Sequence, residues 1–117
     1  MKLFICHPRC STCDKARKKL QELNIPFEER DITSDAPTSK EISKWYQDSG
    51  LSIGKVFNTS GMKYRELGLS QKRKEMSEEE QLELLASDGM LVKRPILVAE
   101  DGQVLFGYRE ADYENIK

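Results

Sequence analysis

The chain has 117 residues, 33% of them charged, with 19 basic against 20 acidic side chains and a formal net charge of −1. That length supports one domain whose core needs no disulfide staples, and the balanced charge argues against a general nucleic-acid binder. The early apolar stretch Leu3–Cys6 is too short for a signal-peptide core or a membrane span, so the expected compartment is the reducing cytoplasm, where a close cysteine pair is catalytic, redox-sensing or metal-binding.

Met1 to Ile5 reads as a short buried strand and Ser11 to Leu23 as an amphipathic helix. Between them runs Cys6-His7-Pro8-Arg9-Cys10-Ser11-Thr12-Cys13. The first N–H groups of a helix are unpaired and the dipole there favours an anion, so Cys10 near the N-cap is expected to have a lowered pKa. Helix geometry puts the Cα of Cys13 roughly 5 Å from that of Cys10, within disulfide range. One nucleophilic sulfur and one resolving sulfur a turn deeper make a redox pair. Cys6 extends the run to Cys-x3-Cys-x2-Cys, the spacing of radical-SAM iron–sulfur enzymes, but those carry an aromatic where this chain has Thr12. Zinc held by Cys6, His7, Cys10 and Cys13 is the other metal reading, although structural sites draw ligands from two separated knuckles. No metal is expected, and Cys6 reads as a buried strand end. His7, the single histidine, reads as a loop residue, with general base or thiolate partner as the alternative.

Asn24 stops the first helix, and a second strand starts at Ile25-Pro26-Phe27 and runs to about Ile32. Strand, helix and strand within about 30 residues form a βαβ unit with parallel strands. Asp35 to Thr38 is a turn, and Thr38 with Glu41 is a capping box opening a helix to about Asp48, with Trp45 as core anchor. Gly50 to Gly61 reads as irregular, and Met62 to Leu67 as a short helix stopped by Gly68. Gln71 to Glu75 reads as exposed, with Lys72, Arg73 and Lys74 a solvated turn or, alternatively, a docking patch. Ser77 and Glu80 form a second capping box for a helix to about Ser87 that buries Leu82, Leu85 and Ala86, and Asp88-Gly89 ends it. Pro95 to Ala99 is a buried strand, Asp101-Gly102 a two-residue hairpin turn, Gln103 to Phe106 the returning strand, and Arg109 to Lys117 a closing helix. The order gives an α/β (α+β) fold: a mixed four-stranded sheet flanked by helices, as in thioredoxin-like proteins. The whole chain, 1–117, is expected to be one domain, with 1–33 and 90–117 as core and 34–89 as helical insertion.

Three stretches, Pro8-Arg9-Cys10-Ser11-Thr12-Cys13, Tyr64-Arg65-Glu66-Leu67-Gly68-Leu69 and Leu91-Val92-Lys93-Arg94-Pro95-Ile96, resemble the arsenate-reductase-like (ArsC/Spx) family. The resemblance implies a thioredoxin fold with a helical insertion, and a cis-proline at Pro95 facing the catalytic cysteine. It implies Cys10 as nucleophile, Cys13 as resolving thiol, Arg94 as anion or thiolate stabiliser, and Arg9, Ser11, Thr12, Asn58 and Pro95 as substrate contacts. No bound cofactor is implied; glutathione, glutaredoxin or thioredoxin is the expected reductant, and a small thiol or redox protein the expected partner. Neither direct nucleic-acid contact nor a membrane is expected. Cys13 matches the branch resembling Spx regulators, which adds RNA polymerase as an alternative partner.

Arsenate reduction is the other alternative, against which the departures weigh. In the family an arginine follows the nucleophile by four positions, where this chain has Asp14, which would repel an arsenate dianion. Two more arginines complete the cradle: Arg94 is retained, while Asn58 stands at one further basic position and Gly107 near another. Arg9, Lys15 and Arg17 are the candidate replacements. Losing two guanidinium contacts at about 1.5–3 kcal/mol each predicts weak or absent arsenate reduction.

Overall fold

The computed structural model describes residues 1–116; Lys117, the expected last residue of the closing helix, lies outside the described residues. β1 (Lys2–Cys6) is a central strand because apolar side chains serve both of its faces. Alternation sends Phe4 and Cys6 to one side and Leu3 and Ile5 to the other. β1 pairs in parallel with β2 (Phe27–Asp31), setting Cys6 opposite Asp31. Its other edge takes antiparallel β3 (Ile96–Val98), which pairs antiparallel with β4 (Val104–Phe106). The sheet order is β2-β1-β3-β4, the mixed four-stranded sheet expected from the sequence.

One face of the sheet is covered by α1 (Ser11–Glu22) and α6 (Glu110–Glu114), which bury Cys13, Ala16, Leu20 and Tyr113, with Ile116 just beyond α6, in one core with Phe4, Cys6 and Leu97. α1 ends as the sequence indicates. Asn24 takes a positive φ of 56°, and the Ile25 N–H reaches back to the Leu20 carbonyl at 2.9 Å, a Schellman closure. The other face carries the helical segment: α2 (Ser39–Ser49), α3 (Met62–Glu66), α4 (Leu69–Lys72) and α5 (Glu78–Ser87). Both capping boxes form, Thr38 with Glu41 and Ser77 with Glu80. Trp45 is buried in this second core with Ile42, Leu82 and Leu85, each such side chain contributing about 1.5–3 kcal/mol by leaving water.

Three local expectations need correction. The hairpin is not a two-residue turn: Ala99 and Gln103 are still paired by a 2.8 Å bond, and the loop is Glu100-Asp101-Gly102. Gly102 at φ 93° supplies the left-handed residue that three-residue hairpin loops require. Gln71–Glu75 is exposed as expected except at Arg73, where α4 continues into a 3-10 turn over Arg73–Glu75. There Arg73 lies over the Phe57 ring, 5.1 Å from its centre, and donates to the Tyr64 hydroxyl at 3.0 Å. A planar guanidinium stacks on aromatic faces at little desolvation cost, so this arginine is a half-buried bracket while Lys72 and Lys74 stay exposed. Finally, the stretch Gly50–Gly61 contains a 3-10 turn at Ile53–Lys55 and an antiparallel bridge between Phe57 and Val92. That bridge ties residues 56–58 of the helical segment to residues 91–93, just ahead of β3. No helix among the described residues is long and apolar enough to cross a membrane.

Candidate active site

β1 delivers the chain to the middle of the sheet edge, and the loop from His7 to Arg9 turns it into α1. Three contacts knit this loop: Arg9 N–H donates to His7 Nδ1 at 3.0 Å, Cys10 N–H to the His7 carbonyl at 3.3 Å, and His7 N–H to Cys13 Sγ at 3.4 Å. His7 therefore serves the loop, its imidazole holding the Arg9 amide. Cys10 is the N-cap of α1, with extended backbone (φ −104°, ψ 120°), and its Sγ accepts from the Cys13 N–H at 3.4 Å. A thiolate at that position receives an orphan helix donor and the positive end of the dipole.

The electrostatics separate the sulfurs. Burial works against the Cys10 thiolate, but the Cys13 N–H, the Cys13 thiol and the Arg94 guanidinium outweigh it, so the Cys10 pKa is lowered. Cys13 is fully buried, and its pKa is pushed up to about 12, first by that burial and further by the neighbouring Cys10 and Cys6, against the His7 N–H. Cys6 is raised to about 11 by burial and by Glu29, despite help from Arg17. At neutral pH the arrangement thus holds one activated thiol with a protonated one behind it.

Cys10 opens into a cleft of about 760 Å³ whose lining includes Thr12, Asn58 and Arg94. Asn58 is placed by the Phe57–Val92 bridge, its N–H on the Leu91 carbonyl at 2.8 Å. Its side chain lies against Gly61, where a Cβ would come within 2.9 Å of Nδ2; only glycine leaves that space. Arg94 is half-buried, and the Arg94–Pro95 peptide is cis, as the resemblance implies. Pro95 itself is buried, and Pro95, Arg9 and Ser11 all lie outside the cleft lining, the last two exposed.

The structure also moves charges. Asp14 is not a cleft residue: its carboxylate meets Arg17 Nη1 at 2.7 Å. Arg17, offered above as a replacement cradle cation, is bound to Asp14, to Glu29 at 2.6 Å and to Cys6 Sγ at 3.4 Å. The cations that do line the cleft are Lys55, Lys93, Arg94 and Arg109, against one acid, Asp112. Lys93 stands inside a stretch already singled out by the resemblance, so it was within reach of the sequence. Lys55 in a loop and Arg109 before α6 carry no local pattern; only the folded chain brings them to Cys10. Gly107, near an expected basic position, has its open side filled by the Lys93 stem, 3.0 Å from where a Cβ would stand. Among the described residues no three His, Cys, Asp or Glu side chains are grouped to hold a metal.

The profile of the ArsC family matches residues 6–116. YusI of Bacillus subtilis (strain 168), described as uncharacterized, is 50% identical over 111 residues, covering 95% of this chain and 93% of YusI. The global transcriptional regulator Spx 2 of Lactococcus lactis subsp. lactis (strain IL1403) is 31% identical over 112 residues, covering 90% of this chain and 77% of Spx 2. Among solved structures, an ArsC-family-related protein from Bacteroides fragilis superposes with a TM-score of 0.94 at 49% identity, covering 99% of this chain and 97% of that one. With its four-stranded mixed sheet, its cysteine at the head of α1 and these relatives along nearly its full length, the chain belongs to the ArsC family, in a thioredoxin-like fold.

Proposed function

We propose that the chain is a cytoplasmic thiol–disulfide redox protein working through Cys10 and Cys13. The observation that carries this reading is the placement of two sulfurs one helical turn apart: Cys10 at the N-cap of α1 opening into the cleft, where its pKa is lowered, and Cys13 fully buried behind it, where its pKa is raised. The Cys10 thiolate attacks one sulfur of a substrate disulfide, forms a mixed disulfide and expels the other sulfur as a thiolate. Cys13 then attacks Cys10 Sγ, the Cys10–Cys13 disulfide forms, and the second substrate thiol leaves. A small thiol or redox protein returns the pair to the dithiol, with glutathione, glutaredoxin or thioredoxin as reductant. Arg94 stabilises the Cys10 thiolate, Thr12 and Asn58 contact the substrate, and the cationic wall of Lys55, Lys93 and Arg109 favours acidic partners. The test is turnover of a mixed disulfide between glutathione and a model peptide, with thioredoxin or glutaredoxin as recycling system. Activity that disappears in Cys10→Ser supports the reading; activity unchanged by that substitution refutes it.

Arsenate reduction is a second reading, favoured by the same cation-rich cleft. The repulsion expected from Asp14 does not apply, since its carboxylate is spent on Arg17 outside the cleft. Arsenate-dependent oxidation of glutathione by the purified protein distinguishes this reading, and Asp14→Arg is expected to leave it unchanged. Likeness to the regulator Spx 2 brings a third, a redox-controlled protein docking on RNA polymerase, tested by co-purification with polymerase.

A further inference from the structure

The sheet has two edges, and the chain treats them differently. β2 is one edge, and four of its five residues are charged, a defence against pairing with another chain. β4 is the other, and its Val104-Leu105-Phe106 carries neither charge nor proline. Two hydrogen bonds, Ala99 N–H to the Gln103 carbonyl and Gly107 N–H to the Pro95 carbonyl, both 2.8 Å, fix the alternation of the β3–β4 ladder. Bonded pairs are Ala99 with Gln103, Leu97 with Leu105 and Pro95 with Gly107, so the N–H and C=O groups of Val104 and Phe106 point away from β3. Among the described residues no backbone group outside the sheet bonds to them. Val104, Leu105 and Phe106 all line the Cys10 cleft, although Val104 and Phe106 pack into the core under α2 and Leu105 into the core under α1. A strand shows successive residues to one cavity along its edge, not along a face, so the cleft meets bare backbone.

We propose that the β4 edge docks an extended, acidic segment of a protein partner, which adds a fifth strand to the sheet and carries a disulfide across to Cys10. Strand addition draws its affinity from main-chain hydrogen bonds, and the outward groups of Val104 and Phe106 supply them. Acidity follows from the charges that line the cleft, Lys55, Lys93, Arg94 and Arg109 against Asp112. The Lys93 stem lies against Gly107, so that cation stands at the end of β4. β4 runs parallel to β1, with Ile5, Ile96 and Phe106 in one row, so Phe106 lies at the end of the sheet from which the chain leads to Cys10. Strands stand about 4.8 Å apart, which puts an added strand about 14 Å from β1. Extended chain rises about 3.3 Å per residue, so about four residues take the partner from Phe106 past Lys93 and Arg94 to Cys10. The crossing is where its acidic side chains meet the cations. The docking stands on the sheet edge and the charges; only the exchange at Cys10 rests on the redox-pair reading.

The probe is the acetylated peptide Thr-Val-Thr-Asp-Glu-Asp-Gly-Ser, whose serine stands in for the partner's cysteine, so that binding is read without thiol chemistry. With the peptide at about ten times its Kd, amide exchange followed by NMR is expected to slow about tenfold at Val104 and Phe106, while Leu105, already bonded to β3, changes little. Backbone N-methylation of the peptide tests the strand directly, because methyl groups on the Val nitrogen or on both Thr nitrogens block opposite edges of the segment. One pattern is expected to weaken binding about tenfold and the other to leave it within about twofold. Asn-Gln-Asn in place of the acidic residues is expected to weaken it about tenfold at low salt. Equal effects of the two methylation patterns, or no protection at Val104 and Phe106, overturn the proposal even if the peptide binds through its charges. Amides at Val104 and Phe106 already protected in a dimer of the free protein assign the edge to a second copy, and overturn it too. The cysteine form of the peptide, as a mixed disulfide with glutathione, separates the two readings. Docking without transfer to Cys10 refutes the redox pair and leaves the edge site standing, whereas transfer that is insensitive to both methylation patterns overturns the docking and leaves the redox pair standing.

Discussion

Removing the Arg94 guanidinium is expected to raise the Cys10 thiol pKa, because one of the groups that favour its thiolate is lost. Arg94→Met keeps most of the aliphatic stem and deletes the charge. A hydrogen bond to a charged group contributes about 1.5–3 kcal/mol when shielded from water. Both Arg94 and Cys10 are only half-buried, so solvent screening brings the value to about 1.4 kcal/mol, a factor of about ten in the ionisation equilibrium. At neutral pH the thiolate fraction falls about tenfold, while the more basic thiolate is about threefold more nucleophilic, given a Brønsted coefficient of about 0.4–0.5. The net effect is a rate of Cys10 alkylation about threefold lower below the midpoint, and equal or higher well above it. The assay is the pH dependence of bromobimane labelling in a Cys13→Ser background, where Cys6 is silent because burial holds it protonated at about 11. Added salt should narrow the gap between the Arg94→Met variant and its parent, since exposed charge effects are screened. Identical midpoints would show that the helix N-terminus alone activates Cys10.

Replacing Arg73 by Leu leaves the Tyr64 hydroxyl without its donor and removes a cation from the Phe57 ring; urea denaturation is expected to show a loss of about 1–3 kcal/mol, and no loss would return Arg73 to the solvated surface. Glu41 is bound by both Arg30 terminal nitrogens, at 2.7 and 2.9 Å, and this Arg30 contact lowers its pKa to about 2. A depressed carboxylate stabilises the fold above its unfolded pKa, so about 1 kcal/mol, discounted for exposure, is expected to be lost as the pH falls from about 4.5 towards 2. Acid titration of stability in Glu41→Gln is expected to be flatter across that window, and an unchanged curve would contradict the assignment.

Much of the fold was legible because its signals are local. The capping boxes at Thr38 and Ser77, the αL residue Asn24 and the alternation in β1 each fix their element without help from distant residues. Where distant contacts decide, the sequence misled. Arg73 looks solvated in a run of basic residues, and only the aromatic pair Phe57–Tyr64 explains its burial. Asp14 falls at an arginine position of the family, yet a one-turn ion pair with Arg17 takes its charge away from the cleft. The same holds for the site. Cys10 and Cys13 announce themselves by strand, turn and helix start, whereas Lys55 and Arg109 reach the cleft from remote segments.

The central claim is that Cys10 and Cys13 form one redox unit, and it is tested most directly by peptide mapping with intact mass after mild oxidation by peroxide. The account predicts the loss of two hydrogens and a single cross-link between Cys10 and Cys13, with Cys6 still free to alkylate after unfolding. A bridge that includes Cys6, or a Cys10 that stops at sulfenic acid with Cys13 still a free thiol, would contradict it.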